Sequence, residues 1–217
     1  MITDETQPIA NGLKGNRFAK LVSYSLHPLL MPTYGFMILF FSRNYISTFT
    51  PMRIKVMLIA ITFFFTFFLP AVNTLILLRI GRVKSLEMEL RKERRIPYSI
   101  TLLYYFPLLY LFYNADFPSV YKILILGATI SLLFTLLINN KWKISAHTVG
   151  IGGIAGAILG IMFRLQLDMQ FIFMLSLLVA GIVGYARLKL NSHTPAQVYC
   201  GFVLGFVVEF LLMIFYR

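Results

Sequence analysis

The sequence predicts an all-α fold, a bundle of about six or seven transmembrane helices that crosses the membrane repeatedly. Three observations carry that prediction. Hydrophobic residues make up 59% of the 217 positions, against about 45–50% in soluble domains. The mean hydropathy is +0.78. Charged residues make up only 13% of the chain and gather between long apolar segments rather than alternating with them.

A spanning helix needs about 20 mainly apolar residues. In chain order the apolar segments run over 21–41, 56–78, 100–113, 120–138, 148–163, 171–185 and 198–215. The first carries His27, Pro28 and Pro32 near its start, and the third is short and contains Pro107. Proline removes a backbone donor and interrupts the helix ladder, so either segment is a candidate for an interfacial or re-entrant piece. The count is seven with both crossings and six without one. Residues 1–19 form a polar N-terminal segment without the basic start and short apolar core of a cleaved signal peptide. The connections are short and no Ser-, Gly- or Pro-rich linker occurs, so 20–217 reads as a single integral membrane domain.

The net charge is +12, from 20 Lys and Arg against 8 Asp and Glu. In a soluble protein this would suggest nucleic acid, but here the cations sit in interhelical loops. Nucleic acid is therefore excluded in favour of anionic phospholipids and phosphate-bearing substrates. Arg79, Arg82, Lys84, Arg91, Lys92, Arg94 and Arg95 crowd one connection, Lys141 and Lys143 a second, and Arg187 and Lys189 a third. These follow the second, fourth and sixth segments, so a chain that crosses at every segment puts all three on one face. By the same parity Lys14 and Arg17 share that face, and Arg43, Arg53 and Arg217 lie on the other. The single Cys200 rules out an intramolecular disulfide.

Two of the three histidines, His147 and His193, fall at segment mouths on the shared basic face. The first closes Lys143-Ile144-Ser145-Ala146-His147 at the start of a Gly-rich segment, where Ser145 and the amides of a helix start suit an anion. The second lies in Ala186-Arg187-Leu188-Lys189-Leu190-Asn191-Ser192-His193-Thr194-Pro195-Ala196-Gln197. Positions four apart share a helix face, so Gln197 is placed to accept from an imidazole nitrogen of His193 and leave the other free to attack phosphorus.

These residues give the chain a resemblance to the type 2 phosphatidic acid phosphatase superfamily of membrane enzymes, which share a fold with haloperoxidases. Its motifs are Lys-x6-Arg-Pro, Pro-Ser-Gly-His and Ser-Arg-x5-His-x3-Asp. Ser145-Ala146-His147 resembles the second, with Ile144 for proline and Ala146 for glycine. Arg187 through His193 to Gln197 resembles the third, with Ala186 for serine and Gln197 for aspartate. The stretch from Arg91 to Pro97 resembles the first in two registers. Aligning on Arg94 puts Glu87 where the lysine belongs; aligning Lys84 with Arg91 restores the spacing and loses the proline. The pattern His193-Thr194-Pro195-Ala196-Gln197-Val198 is similar to the His-Thr-x-x-Gln-Val of dolichyl diphosphate phosphatases, a branch that also carries glutamine.

The resemblance implies a lipid phosphatase with His193 as nucleophile, His147 as the acid for the leaving group, and Gln197 orienting the nucleophile. Arg187, Ser145 and one or two of Arg91, Arg94 and Arg95 would hold the phosphoryl oxygens. It implies a membrane lipid phosphate as substrate, polyprenyl diphosphate first and phospholipid phosphate next, with no metal or other cofactor. The residues themselves offer no His, Cys and carboxylate cluster at metal-ligand spacing, since Glu87, Glu89 and Glu93 lack a nearby histidine. The expected location is a bacterial inner (cytoplasmic) membrane.

The rival expectation is a non-catalytic protein of the same fold that binds or moves phospholipids, favoured by Gln197 and the loose first motif. Gly152, Gly156 and Gly160, four residues apart, predict close helix packing inside the chain rather than a dimer interface. The Gly150 to Gly153 cluster lacks the preceding strand and the lysine of a nucleotide-binding loop. His27 falls outside the motifs and is expected to be structural.

Overall fold

The computed structural model describes residues 17–86, 88 and 90–216. Positions 1–16, with Lys14 and most of the polar segment, lie outside the described residues, as do Glu87, Glu89 and Arg217. Among those described, every regular element is helical.

The first apolar segment is broken where its prolines stand. Helix α1 (Arg17–Ser25) ends before a 3₁₀ turn at Pro28–Leu30, and α2 (Met31–Phe41) follows. His27 caps the turn, its Nδ1 accepting from the Leu29 N–H at 3.3 Å. A short α3 (Tyr45–Phe49) follows, started by Asn44, whose side chain accepts from the Ser47 N–H. Thr50, just beyond, shares a hydrogen bond of 2.7 Å with Tyr121. The broken segment thus runs from one end of the bundle to the other, as a seventh crossing would, without one continuous helix.

Among the described residues six helices are long and apolar enough to span a membrane, and the protein is a multi-pass integral membrane protein. The first span joins α4 (Met52–Phe63), a π turn at Phe64–Phe68 and α5 (Leu69–Arg79). Pro70 accounts for the π turn. Its ring crowds the carbonyl four residues back, and widening the turn relieves the clash while the Leu69 N–H reaches Phe64 O. A 3₁₀ turn at Arg91–Arg94 leads into α6 (Arg95–Asn114), which carries Pro107 in its interior and, with that turn, is long and apolar enough to span. Then come α7 (Ser119–Asn139), α8 (Ala146–Leu165), α9 (Gln170–Lys189) and α10 (Pro195–Phe215).

Helix α8 is the centre of the bundle: 67% of its apolar window is buried, against at most 44% in any other span. Its glycines explain why. A Cβ on Gly152 or Gly156 would overlap the Phe202 or Phe206 carbonyl of α10, and one on Gly160 would overlap Met213. Gly201 and Gly205 answer from α10, lying against Ser145 and Thr148 and against Val149 and Gly153. Small residues let the two backbones touch, which is how helices gain packing energy in lipid. The row is filled within the chain. Large apolar side chains such as Leu103, Tyr110, Phe171 and Leu178 point outward instead, as a surface bathed in acyl chains requires.

The connections after α5, α7 and α9 meet at one end. Arg91 Nη1 donates to Asn140 O at 2.7 Å, Ser145 N–H to Gln197 O at 3.4 Å, and Arg187 Nη1 to Ser23 Oγ at 3.2 Å. Helix α1 packs on α9 and closes the same end.

Candidate functional site

The site grows out of the start of α10. Thr194 caps that helix in a capping box: its Oγ1 accepts from the Gln197 N–H, and Gln197 reaches back to the Thr194 N–H. Pro195 supplies a fixed φ at the first helical position. The consequence reaches His193. Gln197 Oε1 lies 3.2 Å from the Thr194 nitrogen and 3.0 Å from His193 Nδ1. A backbone N–H only donates, so the side-chain atom it meets is the oxygen. That oxygen accepts from His193 as well, so Nδ1 carries the proton and Nε2 keeps its lone pair. The relation read from the four-residue spacing is present, and a helix cap fixes the tautomer.

Around this imidazole the bundle collects positive charge. Arg94, at the end of the 3₁₀ turn before α6, is 5% exposed and donates from Nε to Met88 O at 2.9 Å and from Nη1 to Ile144 O at 3.5 Å. Arg187 comes from the last turn of α9 and is also buried. Burial pushes His193 far below the ordinary histidine range, and the charges of Arg94, Arg187 and Lys143 add to the effect, against the opposing hydrogen bond of Gln197. His193 is therefore a neutral, oriented imidazole beside fixed cations.

The other candidates separate. Arg91 and Arg95, next to Arg94 in sequence, both turn outward to the Asn140 carbonyl, at 2.7 and 3.3 Å. The structure brings Arg94 to His193 and leaves those two at the rim, which decides between neighbours that the sequence left open. Ser145 is fully buried where α8 begins, and its Oγ meets no hydrogen-bond partner.

His147 also sits on the first turn of α8, but its Nε2 lies 3.1 Å from the Ser23 carbonyl. A carbonyl accepts, so Nε2 is the protonated nitrogen and its proton is already engaged. Beside it is His27, with ring centroids 5.6 Å apart and planes at 76°. Burial lowers His27 to about 4, assisted by Arg187. His27, expected to be structural, caps the turn at Pro28 and also lies against His147. Its signal, a His-Pro pair that breaks a helix, was in the sequence, but nothing local ties it to His147. Ser23, which meets both His147 and Arg187, carried no signal at all. Lys143 was one lysine among several in its loop.

Among the described residues no group of three His, Cys, Asp or Glu is placed to hold a metal ion. An oriented neutral imidazole amid cations and a bare hydroxyl is suited to attack on a phosphorus centre. Comparison with known proteins yields no match to a family model, a curated protein or a solved structure.

Proposed function

We propose that the protein is a membrane lipid phosphatase that hydrolyses a lipid phosphate or diphosphate through a phosphohistidine. The observation that carries the reading is the His193–Gln197–Thr194 arrangement beside Arg94 and Arg187. His193 Nε2 attacks phosphorus, and the bond from phosphorus to the leaving oxygen breaks. The lipid alkoxide or phosphate departs with a proton from His147. Water then attacks phosphorus, giving a proton back to His147, and the bond from phosphorus to His193 Nε2 breaks, releasing inorganic phosphate and restoring the neutral ring. Arg94, Arg187 and Ser145 hold the equatorial oxygens, where most of the catalytic stabilisation of phosphoryl transfer arises. A polyprenyl diphosphate is the favoured substrate and a phospholipid phosphate the next, supported by the resemblance of the His193 to Val198 stretch to dolichyl diphosphate phosphatases. The reading places the protein in a bacterial inner membrane, with anionic lipids around the basic end.

One observation favours a second reading, a non-catalytic protein of this fold that binds or moves phospholipids. His147, the only acid the scheme offers, has its Nε2 proton on the Ser23 carbonyl. Phosphate release from a panel of lipid phosphates and diphosphates by the purified protein in chelator, beside His193→Ala, separates the two. Release that depends on His193 supports the phosphatase. Folded protein that binds these lipids and releases nothing supports the binder.

A further inference from the structure

Glu209 is the one carboxylate described deep inside a span, on the half of α10 farther from the basic end. It is 5% exposed, wedged where α7 and α8 leave room: a Cβ on Gly127 would strike its carboxyl group, and Gly153 lies against its Cγ. Its Oε2 meets no hydrogen-bond partner. The carboxyl group borders a partly open cavity of about 100 Å³ lined by α2, α6, α7 and α8. No Lys, Arg or His lines this cavity, and Tyr105 of α6 is the other titratable side chain on its wall; α2, α7 and α8 contribute none. An uncompensated carboxylate in such surroundings costs several kcal/mol, so the group either carries a proton or meets a cation, and the wall supplies no cation.

Helix α7 gives this carboxyl group a polar connection to the site end. Gly127, Ser131, Thr135 and Asn139 follow one another at four-residue steps and are all buried. Ser131 Oγ and Asn139 Oδ1 have no hydrogen-bond partner, Ser131 and Thr135 line the cavity, and Asn139 Nδ2 donates to Arg91 O at the basic end. Unpartnered polar atoms in lipid are costly, and three along one line in an α-helical bundle need a common ligand. Water answers: each molecule needs two to four polar partners, and on the α7 side of the cavity Ser131, Thr135 and the Glu209 carboxyl group supply them. Beyond Glu209 the wall turns apolar, with Leu124, Ile158, Ile161 and Met169. The polar atoms of α7 thus lead from Glu209 toward the basic end, and the wall on the other side is apolar.

We propose that Glu209 is an intramembrane proton-binding site, reached by water from the basic end along Ser131, Thr135 and Asn139 of α7. The site loads and unloads its proton from one side only. The proposal stands independently of the phosphatase reading.

Infrared spectroscopy of the purified protein in lipid nanodiscs tests it. The carbonyl band of a protonated carboxyl group, recognised as the one lost in Glu209→Gln, is expected to shift within minutes of transfer into D2O. It is expected to shift several-fold more slowly in the double variant Ser131→Val, Thr135→Val. If Glu209→Gln does not fold, wild-type protein modified at Glu209 by a hydrophobic carbodiimide, located by mass spectrometry, provides the same difference. The absence of any such band, or a band that stays unshifted for hours, would overturn the proton site. Equal exchange in the double variant would overturn the route along α7.

Discussion

His193 Nδ1 and Gln197 Oε1 lie 3.0 Å apart, and the same oxygen receives the Thr194 N–H at 3.2 Å. One amide oxygen thus performs two tasks, closing the cap of α10 and setting the tautomer of the histidine just outside it.

Separating those tasks gives the first prediction. Gln197→Leu removes the acceptor while keeping an apolar side chain of similar reach, and kcat is expected to fall by about 100-fold or more. Gln197→Glu keeps both hydrogen bonds and adds a negative charge beside Nδ1. An adjacent anion favours the imidazolium, so the pKa of His193 rises from its depressed position. Titration of the His193 ring by NMR in wild type and Gln197→Glu checks the direction.

Acid destabilisation is the second. His193 and His27 are both held below the unfolded value of about 6.5, His27 to about 4. Between the folded and unfolded values the unfolded chain binds more protons, so stability rises with pH there. The stabilisation is present above pH 6.5 and is lost as pH falls toward the folded values. Thermal denaturation in detergent between pH 7 and pH 4 is expected to show a falling midpoint, and His27→Phe a shallower fall.

Among the basic residues, Arg94 is expected to stand apart from its neighbours. Arg94→Ala removes a cation buried beside His193, with an expected loss of about 100-fold in kcat/KM on lipid phosphates. Arg91→Ala and Arg95→Ala release rim contacts to the Asn140 carbonyl and are expected to cost less than about tenfold. Steady-state kinetics on the three variants would decide; equal losses would remove Arg94 from the site.

The α8–α10 contact supplies the last. Gly205→Ala drives a Cβ into the Val149 carbonyl, and a backbone atom cannot rotate away, so a destabilisation of about 1–3 kcal/mol is expected. Gly181 of α9 has nothing within 4 Å of the corresponding position. Gly181→Ala is expected to be neutral or to stabilise by up to about 1 kcal/mol. Denaturation midpoints of the two variants make the comparison.

The sequence by itself determined the membrane bundle, because hydropathy over about 20 residues is a local property. It also determined that three basic connections share an end, because crossing parity needs only a count. The spacing pointed to the His193–Gln197 contact too, but the contact is made by the capping box at Thr194 rather than by a shared helix face, since His193 lies just outside α10. Pairing across the bundle was beyond the sequence. Which of Arg91, Arg94 and Arg95 turns inward depends on a 3₁₀ turn and on carbonyls at Met88 and Ile144. That Ser23 engages His147, that His27 lies against it, and that Glu209 faces a cavity beside α7 depend on helices far apart in sequence. Such contacts are set by where α8 lets its neighbours approach. The glycine row made that approach predictable in kind, but only the packed structure gave it a partner and a register.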